Sequence, residues 1–327
     1  MKAGKLKESI LKRSILKQLH KRSDHVIVAP SVGGDYGAMA ISEDMAIVLS
    51  SDPVTLTKEA IGSSAIFAAC NDVACSGATP TGVSTTLLLP TSYNEEELRA
   101  LMKDLDAACK QCKVDIISGH TEVTRVVKEP LVVVTAMGTV LKNQIRHSSH
   151  VRPGMDIVAT KWVGLEGTAI MAEEKEEELR GRYAQPFIDQ AKVFRQMMSI
   201  LPEAAVAVKS GASAMHDVSE GGIFGALWEL AESAGVGLEI DLKKIPIRQE
   251  TIEICEVFDV NPYKLLSGGC LLIATEDGNG LVMELEKANI PAVIIGKATD
   301  SNDRVLINEE ERRFLETTQT DELISIK

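Results

Sequence analysis

Aromatic side chains are scarce in this 327-residue chain, with Phe, Trp and Tyr making up 4% of it. Its cores must therefore be aliphatic, and the 45% hydrophobic content supplies Val, Ile, Leu, Ala and Met for that purpose. A positive balance is also missing: 47 acidic residues outnumber 35 basic ones, for a formal net charge of −12. Such a surface repels phosphate backbones, which argues against nucleic acid as a partner. A small nucleotide stays compatible, because a local site can oppose the global charge and magnesium can bridge carboxylates to phosphates. No apolar run reaches the length of a membrane span, and residues 1–22 lack the continuous apolar stretch and cleavage site of a secretory signal. They read instead as a basic amphipathic helix with Leu6, Ile10 and Leu11 on one face, and Glu8 and Asp24 count against a mitochondrial transit peptide. The six cysteines, Cys70, Cys75, Cys109, Cys112, Cys255 and Cys270, are scattered through apolar segments and read as free thiols of a reducing compartment, the cytoplasm. Cys109 and Cys112 form a C-x-x-C pair, but late in an amphipathic helix and without a second pair or nearby His. That favours structural thiols over a redox pair or half a zinc site.

The length exceeds that of a usual single domain, so two are expected. In the first, residues 25–30 and 45–50 read as strands, the second ending at Ser51 and Asp52. Residues 58–75 read as a buried helix and 82–89 as a strand buried on both faces. Residues 94–113 form an amphipathic helix with an acidic first turn. The strand at 114–118 runs out into Gly119 and His120, and 130–140 is another strand. A polar stretch at 143–150 and the turn Arg152-Pro153-Gly154 set the boundary, giving domains 1–150 and 151–327. The second domain carries strands at 156–160, 214–218, 237–241, 271–275, 293–296 and 305–307. Helices at 167–178, 187–200, 203–210, 223–234 and 249–257 alternate with them. The fold class is mixed, α/β and α+β.

Three acidic clusters read as strand ends followed by loops or helices: Asp35 in Gly33-Gly34-Asp35, Asp52 in Ser51-Asp52-Pro53, and Asp72 in Asn71-Asp72. Two or three such carboxylates converging with phosphate oxygens make a magnesium site. Each alone reads more readily as a helix cap or a turn former. Ser118-Gly119-His120-Thr121-Glu122 follows an apolar strand, and its Gly, His, Thr and Glu can approach phosphates or a metal; the plain alternative is a turn with a hydrogen-bonded His. Met215-His216-Asp217-Val218-Ser219-Glu220-Gly221-Gly222 places an acid before a glycine-rich helix start, which offers free N–H groups to anions. Ser267-Gly268-Gly269-Cys270 reads as a simple turn.

In this order and spacing the clusters resemble the superfamily of aminoimidazole ribonucleotide synthetase, selenophosphate synthetase, thiamine-monophosphate kinase and the hydrogenase maturation factor HypE. Gly4-Lys5-Leu6 and Gly34-Asp35 resemble the opening and the Gly-Asp-Asp motif of the HypE-like branch, and Asp52 matches the acid ending the next strand. Asn71-Asp72-Val73-Ala74 with Gly77-Ala78-Thr79-Pro80 is the most specific likeness. Gly119-His120-Thr121, Arg152-Pro153-Gly154-Met155-Asp156 and residues 217–222 complete it, so that nearly the whole chain is covered. The departures are Tyr36 for the second Asp of Gly-Asp-Asp, His120 for an acid, Glu122 for a lysine, and no cysteine in residues 321–327, where HypE carries its reacting group. The cysteine or selenocysteine loop of selenophosphate synthetase is also absent.

The resemblance implies a two-domain fold like that of aminoimidazole ribonucleotide synthetase. Its N-terminal domain would bind ATP and form a dimer through its sheet, and an α+β domain would follow. ATP and Mg2+ would be cofactors, with Asp35, Asp52 and Asp72 as metal ligands. Asn71, Gly119, Thr121, Gly221 and Gly222 would contact the nucleotide, and Asp217, His120 and Glu122 would serve catalysis. The implied reaction is ATP-dependent phosphorylation of an amide- or carbamoyl-type oxygen on a small molecule or a partner-borne group. The implied partners are a second copy and a hydrogenase maturation protein, with no nucleic acid and no membrane. The alternatives are a nucleotide-binding maturation or regulatory homodimer without turnover, and a thiamine-monophosphate-kinase-like or selenophosphate-synthetase-like enzyme.

Overall fold

The computed structural model describes residues 3–317 and 320–326; the first two residues of the predicted N-terminal helix and the last residue of the second domain lie outside it. The described part of that N-terminal segment holds only a three-residue turn, α1 (Glu8–Ile10), a π turn at Leu11–Ile15 and a 3₁₀ turn at Leu16–Gln18. No residue of these turns is buried. Residues 8–18 are therefore helical throughout but irregular, with Ile10 and Leu11 of the predicted apolar face only half-buried; a short helix gains little from such packing.

A six-stranded sheet follows. It comprises β1 (Val26–Val28), β2 (Gly37–Ala40), β3 (Met45–Val54), β4 (Thr79–Pro90), β5 (Asp115–Thr124) and β6 (Leu131–Leu141), in the order β1-β2-β3-β6-β4-β5. Neighbours are antiparallel except β4 and β5, which run parallel. Helices α2 (Ile61–Cys75) and α3 (Glu95–Cys112) cover one face. Strand alternation on β3 turns Ala46, Val48, Ser50 and Asp52 towards them and Leu49, Ser51 and Pro53 away. The outer face of the sheet carries half-exposed apolar residues, so β4, predicted to be buried on both faces, is covered on one. Two predicted strand ends also move. β3 continues through Asp52 to Val54 by pairing with β6, and β5 continues through Gly119–Glu122 by pairing with β4. Ladder bonds to a neighbour outweigh the local turn propensity of Asp-Pro and Gly-His.

The second domain is built on β7 (Asp156–Thr160), β8 (Ala214–Val218), β9 (Gly237–Asp241), β10 (Cys270–Thr275), β11 (Ala292–Thr299), β12 (Arg304–Asn308) and β13 (Glu311–Phe314). Their order is β13-β12-β9-β11-β7-β10-β8. Its helices are α4 (Leu165–Glu174), α5 (Glu176–Arg180), α6 (Gln185–Lys192), α7 (Leu201–Lys209), α8 (Gly222–Ala234), α9 (Gln249–Val257), α10 (Gly278–Lys287) and α11 (Leu323–Ile326). The single helix predicted over 187–200 is α6 followed by a 3₁₀ turn at Val193–Met197. The two domains share α2. One side of it lies on the first sheet, and Ala74 and Cys75 pack against Val158, Met215 and Leu271 of the second domain. Among the described residues no helix is long and apolar enough to cross a membrane.

Candidate functional site

A groove of about 830 Å³ opens where the domains meet, and Asp35, Asp52, Asp72 and Asp217 all line it. Four different pieces of chain bring them there. Asp35 follows the glycine turn before β2, Asp52 lies on the helix-facing side of β3, Asp72 on α2 and Asp217 on β8. Gly33 makes the first of these possible. It adopts φ +66°, and a Cβ there would collide with the backbone carbonyl of Glu229 on α8, so only glycine lets the turn lie against that helix.

The carboxylates are closer than their charges favour. The Ser50 hydroxyl lies 2.8 Å from Asp52 Oδ2 and 2.6 Å from Asp72 Oδ2, yet it has one proton to donate. Asp72 and Asp217 are also near enough to act on each other's titration. Burial, and then the charges of Asp217, Asp52 and Asp35, push Asp72 well above the usual carboxylate range. Burial and Asp35 lift Asp217 to about 7. Among the described residues no Lys, Arg or His forms an ion pair with Asp52, Asp72 or Asp217. Such an oxygen-rich set has the chemistry that a hard divalent cation takes, although among the described residues the possible ligand atoms that all lie within 4.8 Å of one another are those of Asp35, His216 and Asp217.

His216 stands beside this cluster, its ligand atom within 4.8 Å of those of Asp35 and Asp217, but both its ring nitrogens are engaged. Nδ1 is 2.7 Å from Asp35 and Nε2 is 3.3 Å from Glu229. Burial opposes its charge, yet Asp35 and Glu229 together lift it to about 10, so it is an imidazolium between two carboxylates rather than a metal ligand. Glu229, despite its own burial, is held at about 2 by Lys5 and His216. Lys5 Nζ sits 3.2 and 3.3 Å from the Glu229 oxygens, and its backbone N–H donates to Glu220 at 2.9 Å. Ser64 on α2 donates to the half-buried Glu166 and accepts from Arg195 at 2.8 Å, tying α2 to the second domain.

The remaining predicted residues are elsewhere. Asn71 is buried and fully used: its Nδ2 donates to the Met198 carbonyl at 2.9 Å, and its Oδ1 accepts from Ile200 N at 3.0 Å. It joins α2 to the second domain. Gly119, His120, Thr121 and Glu122 lie on β5, the exposed edge strand, and not among the groove residues; His120 Nε2 is 3.6 Å from Glu122 Oε2. The Gly221 N–H, read from sequence as free for an anion, donates to the Asp321 carboxylate at 2.7 Å. Gly222 has φ +63° and packs against the Tyr263 and Leu265 backbone. Tyr36 is buried, and its hydroxyl donates to the Arg146 carbonyl instead of entering the groove. Sequence reasoning missed Ser50, His216, Glu229 and Lys5 as site residues. His216 and Lys5 stood inside stretches already singled out, whereas nothing local marks Ser50 or Glu229. All six cysteines are free and buried, with Cys70 and Cys112 in contact across α2 and α3.

Comparison with known proteins agrees with this architecture. Residues 33–140 match the N-terminal domain, and 152–308 the C-terminal domain, of AIR synthase related protein. A protein of Methanocaldococcus jannaschii named for hydrogenase expression and formation is 26% identical over 320 residues, covering 93% of this chain and 91% of that one. The carbamoyl dehydratase HypE of Cupriavidus necator is 24% identical over 259 residues, covering 76% and 72%. Among solved structures, HypE in its complex with HypF superposes with a TM-score of 0.75 at 20% identity, over 87% of this chain and 93% of that one. HypE in complex with ATP gives 0.73 at 17% identity, over 97% and 96%. Identities this low speak for the fold.

Proposed function

We propose, from the premise that this chain belongs to the AIR synthase related protein family in both its domains, that it binds ATP with a divalent cation in the groove between them. On this reading it phosphorylates an amide- or carbamoyl-type oxygen of a small molecule or a partner-borne group. The observation that carries the reading is the convergence of Asp35, Asp52, Asp72 and Asp217 from both domains on one groove. The cation would screen phosphate charge; the carboxylates would hold it, and Ser50 and His216 would orient them. Phosphoryl transfer asks the protein for positioning and charge neutralisation more than for a covalent nucleophile, and this groove offers those. Asp217, lifted to about 7, can take or give a proton at neutral pH. The names of the relatives support hydrogenase maturation as the setting and a maturation protein as partner.

The assembly that fits is a homodimer formed through the first sheet. Met39 is 45% exposed and Ile117 and Val123 are each 59% exposed on that sheet, and β5 is an unpaired edge. A second copy there would cover His120, Thr121 and Glu122 and could bring them into a site. One observation favours a second reading: Tyr36 stands in place of a family acid and is turned into the core, which suits a nucleotide-binding subunit without turnover. The test is joint. Mg2+ and ATP together should raise the melting temperature, neither alone should do so, and Asp72→Ala should abolish the shift. Light scattering should give twice 35.3 kDa. Phosphate release then separates the two readings. A protein unmoved by ATP at every magnesium concentration would sink both.

A further inference from the structure

Ser64, Ala68 and Asp72 all line the groove and recur at every fourth residue of α2, so the groove runs along one face of that helix. At roughly 1.5 Å per residue, Ser64 lies about 12 Å along the helix from Asp72. The Ser64 end differs in chemistry from the end that gathers the aspartates. Leu56, next to the Thr57 that Arg195 binds, Ala68, one turn on from Ser64, and Leu266, whose carbonyl accepts from Gly167 N, make it apolar. One carboxylate is set among them, that of Glu166 in the first turn of α4.

Glu166 is aimed by its neighbours. Its Oε1 accepts from Ser64 at 3.0 Å, and Ser64 accepts from Arg195 Nη1 at 2.8 Å. Its Oε2 lies so close to Gly268 that a Cβ on that residue would sit 2.2 Å from it. The glycine of Ser267-Gly268-Gly269, a plain turn by sequence, therefore makes the room that the carboxylate occupies. Charge here is unbalanced. Arg195 Nη1 is 3.9 Å from Glu166, but the guanidinium is taken by Glu173 Oε2, 3.0 Å from Nε and 2.9 Å from Nη2. One guanidinium between two carboxylates leaves a negative charge, and the Glu166 side chain is only 14% exposed. Burial raises its carboxyl above the ordinary pKa, and Arg195 opposes that rise. A carboxylate so placed gains from a partner that brings positive charge and N–H donors, and it repels phosphate and carboxylate groups. The polyphosphate of a nucleotide then belongs at the Asp72 end, where a cation can screen it, and the Ser64 end is left for the acceptor.

We propose that Glu166 selects the phosphoryl acceptor, by binding an ammonium or guanidinium group carried on an aliphatic stem whose amide oxygen points towards the Asp72 end. This rests on the ATP reading above and adds to it the chemical class of the acceptor, a cationic amide and not an anionic one. The apolar walls receive the stem. Ser64 and Arg195 are positioning residues that hold the carboxylate towards the groove.

The test compares two probes on the full chain, 5-aminopentanamide and glutaramate, amides of similar length that end in an ammonium and a carboxylate. Their binding is titrated in the presence of Mg2+ and a non-hydrolysable ATP analogue. The wild type should favour 5-aminopentanamide by about 10-fold or more, the worth of one contact to a charged group. Glu166→Gln, which removes the charge, and Gly268→Ala, which keeps the charge but displaces the carboxylate, should each reduce that preference to about 2-fold or less. The ratio is the readout because a general loss of structure weakens both probes together. Failure of 5-aminopentanamide to bind, equal binding of the two probes by the wild type, or a preference that survives both substitutions overturns the proposal and leaves the ATP reading intact. A wild-type chain that Mg-ATP does not stabilise removes the ATP reading and the acceptor assignment with it.

Discussion

Replacing Asp72 with Asn should stabilise the metal-free protein and at the same time abolish its response to Mg-ATP. The opposite signs follow from the geometry. The Ser50 hydroxyl touches both Asp52 and Asp72, at 2.8 and 2.6 Å, so those carboxylates face each other with one shared proton donor. Two such oxygens lie about 4–5 Å apart, where like charges repel by about 4 kcal/mol at an effective dielectric constant of about 20, and solvent in an open groove cuts this to about 1–2 kcal/mol. Burial and the neighbouring acids raise the Asp72 pKa, so the folded protein prefers a proton there that the unfolded chain has lost at pH 7. Asn carries no charge to repel and no proton to acquire, still accepts from Ser50, and can donate to Asp217. The gain of about 1–2 kcal/mol corresponds to about 2–6 °C in melting temperature for a protein of this size. With ATP at 100 times its dissociation constant the wild type gains a further ~2.7 kcal/mol, and the variant should gain almost none of it. Differential scanning fluorimetry at pH 7, with and without Mg-ATP, measures both. A variant that melts below the wild type without ligand, or that keeps the full ligand shift, would refute the picture of a carboxylate cluster awaiting a cation.

Glu229 makes a pH-dependent contribution whose sign is set by its lowered pKa. It is held at about 2 against an ordinary 4.5, so its stabilisation is present above pH 4.5 and is lost as pH falls from 4.5 towards 2. Because 27% of its side chain is exposed, the contribution is discounted to about 1–2 kcal/mol. Urea unfolding should show Glu229→Gln less stable than wild type by that amount at pH 7, with the gap narrowing below pH 4.5 and closing only near pH 2; a gap constant with pH would contradict the ion-pair origin. Asn71→Ala should cost about 2–4 kcal/mol, because it strands the buried Met198 carbonyl and Ile200 N–H, and should leave the affinity for Mg-ATP within about 3-fold. Calorimetric titration showing a large affinity loss with unchanged stability would return Asn71 to the nucleotide site.

Asp35, Asp52 and Asp72 were legible in the sequence because each stands beside a glycine, a proline or an asparagine, and Asp217 because it shortly precedes the glycine-rich start of a helix. Apolar runs and helical spacing likewise located the strands other than β2 and β13, and the long helices α2, α3 and α8. Other features were decided by tertiary contacts between distant segments. Asp52 lies within β3 and Gly119–Glu122 within β5 because β6 and β4 offer ladder partners there, and no local rule knows which strand will be next door. The apolar positions of the N-terminal segment suggested one regular helix; it forms short helical turns instead, and Lys5 and Lys12 are placed by Glu229 and Glu232 on α8 some 220 residues away. Asn71 and Asp72 are adjacent in sequence and look alike as candidates. On a helix they point about 100° apart. Asp72 therefore enters the groove, and Asn71 is consumed by the turn at Met198–Ile200. His216 became the cation of the site only when folding placed Asp35 on one of its nitrogens and Glu229 on the other. Sequence determines which groups can carry charge, metal or a cap; which of those capacities is used depends on what the fold sets within about 3 Å of them.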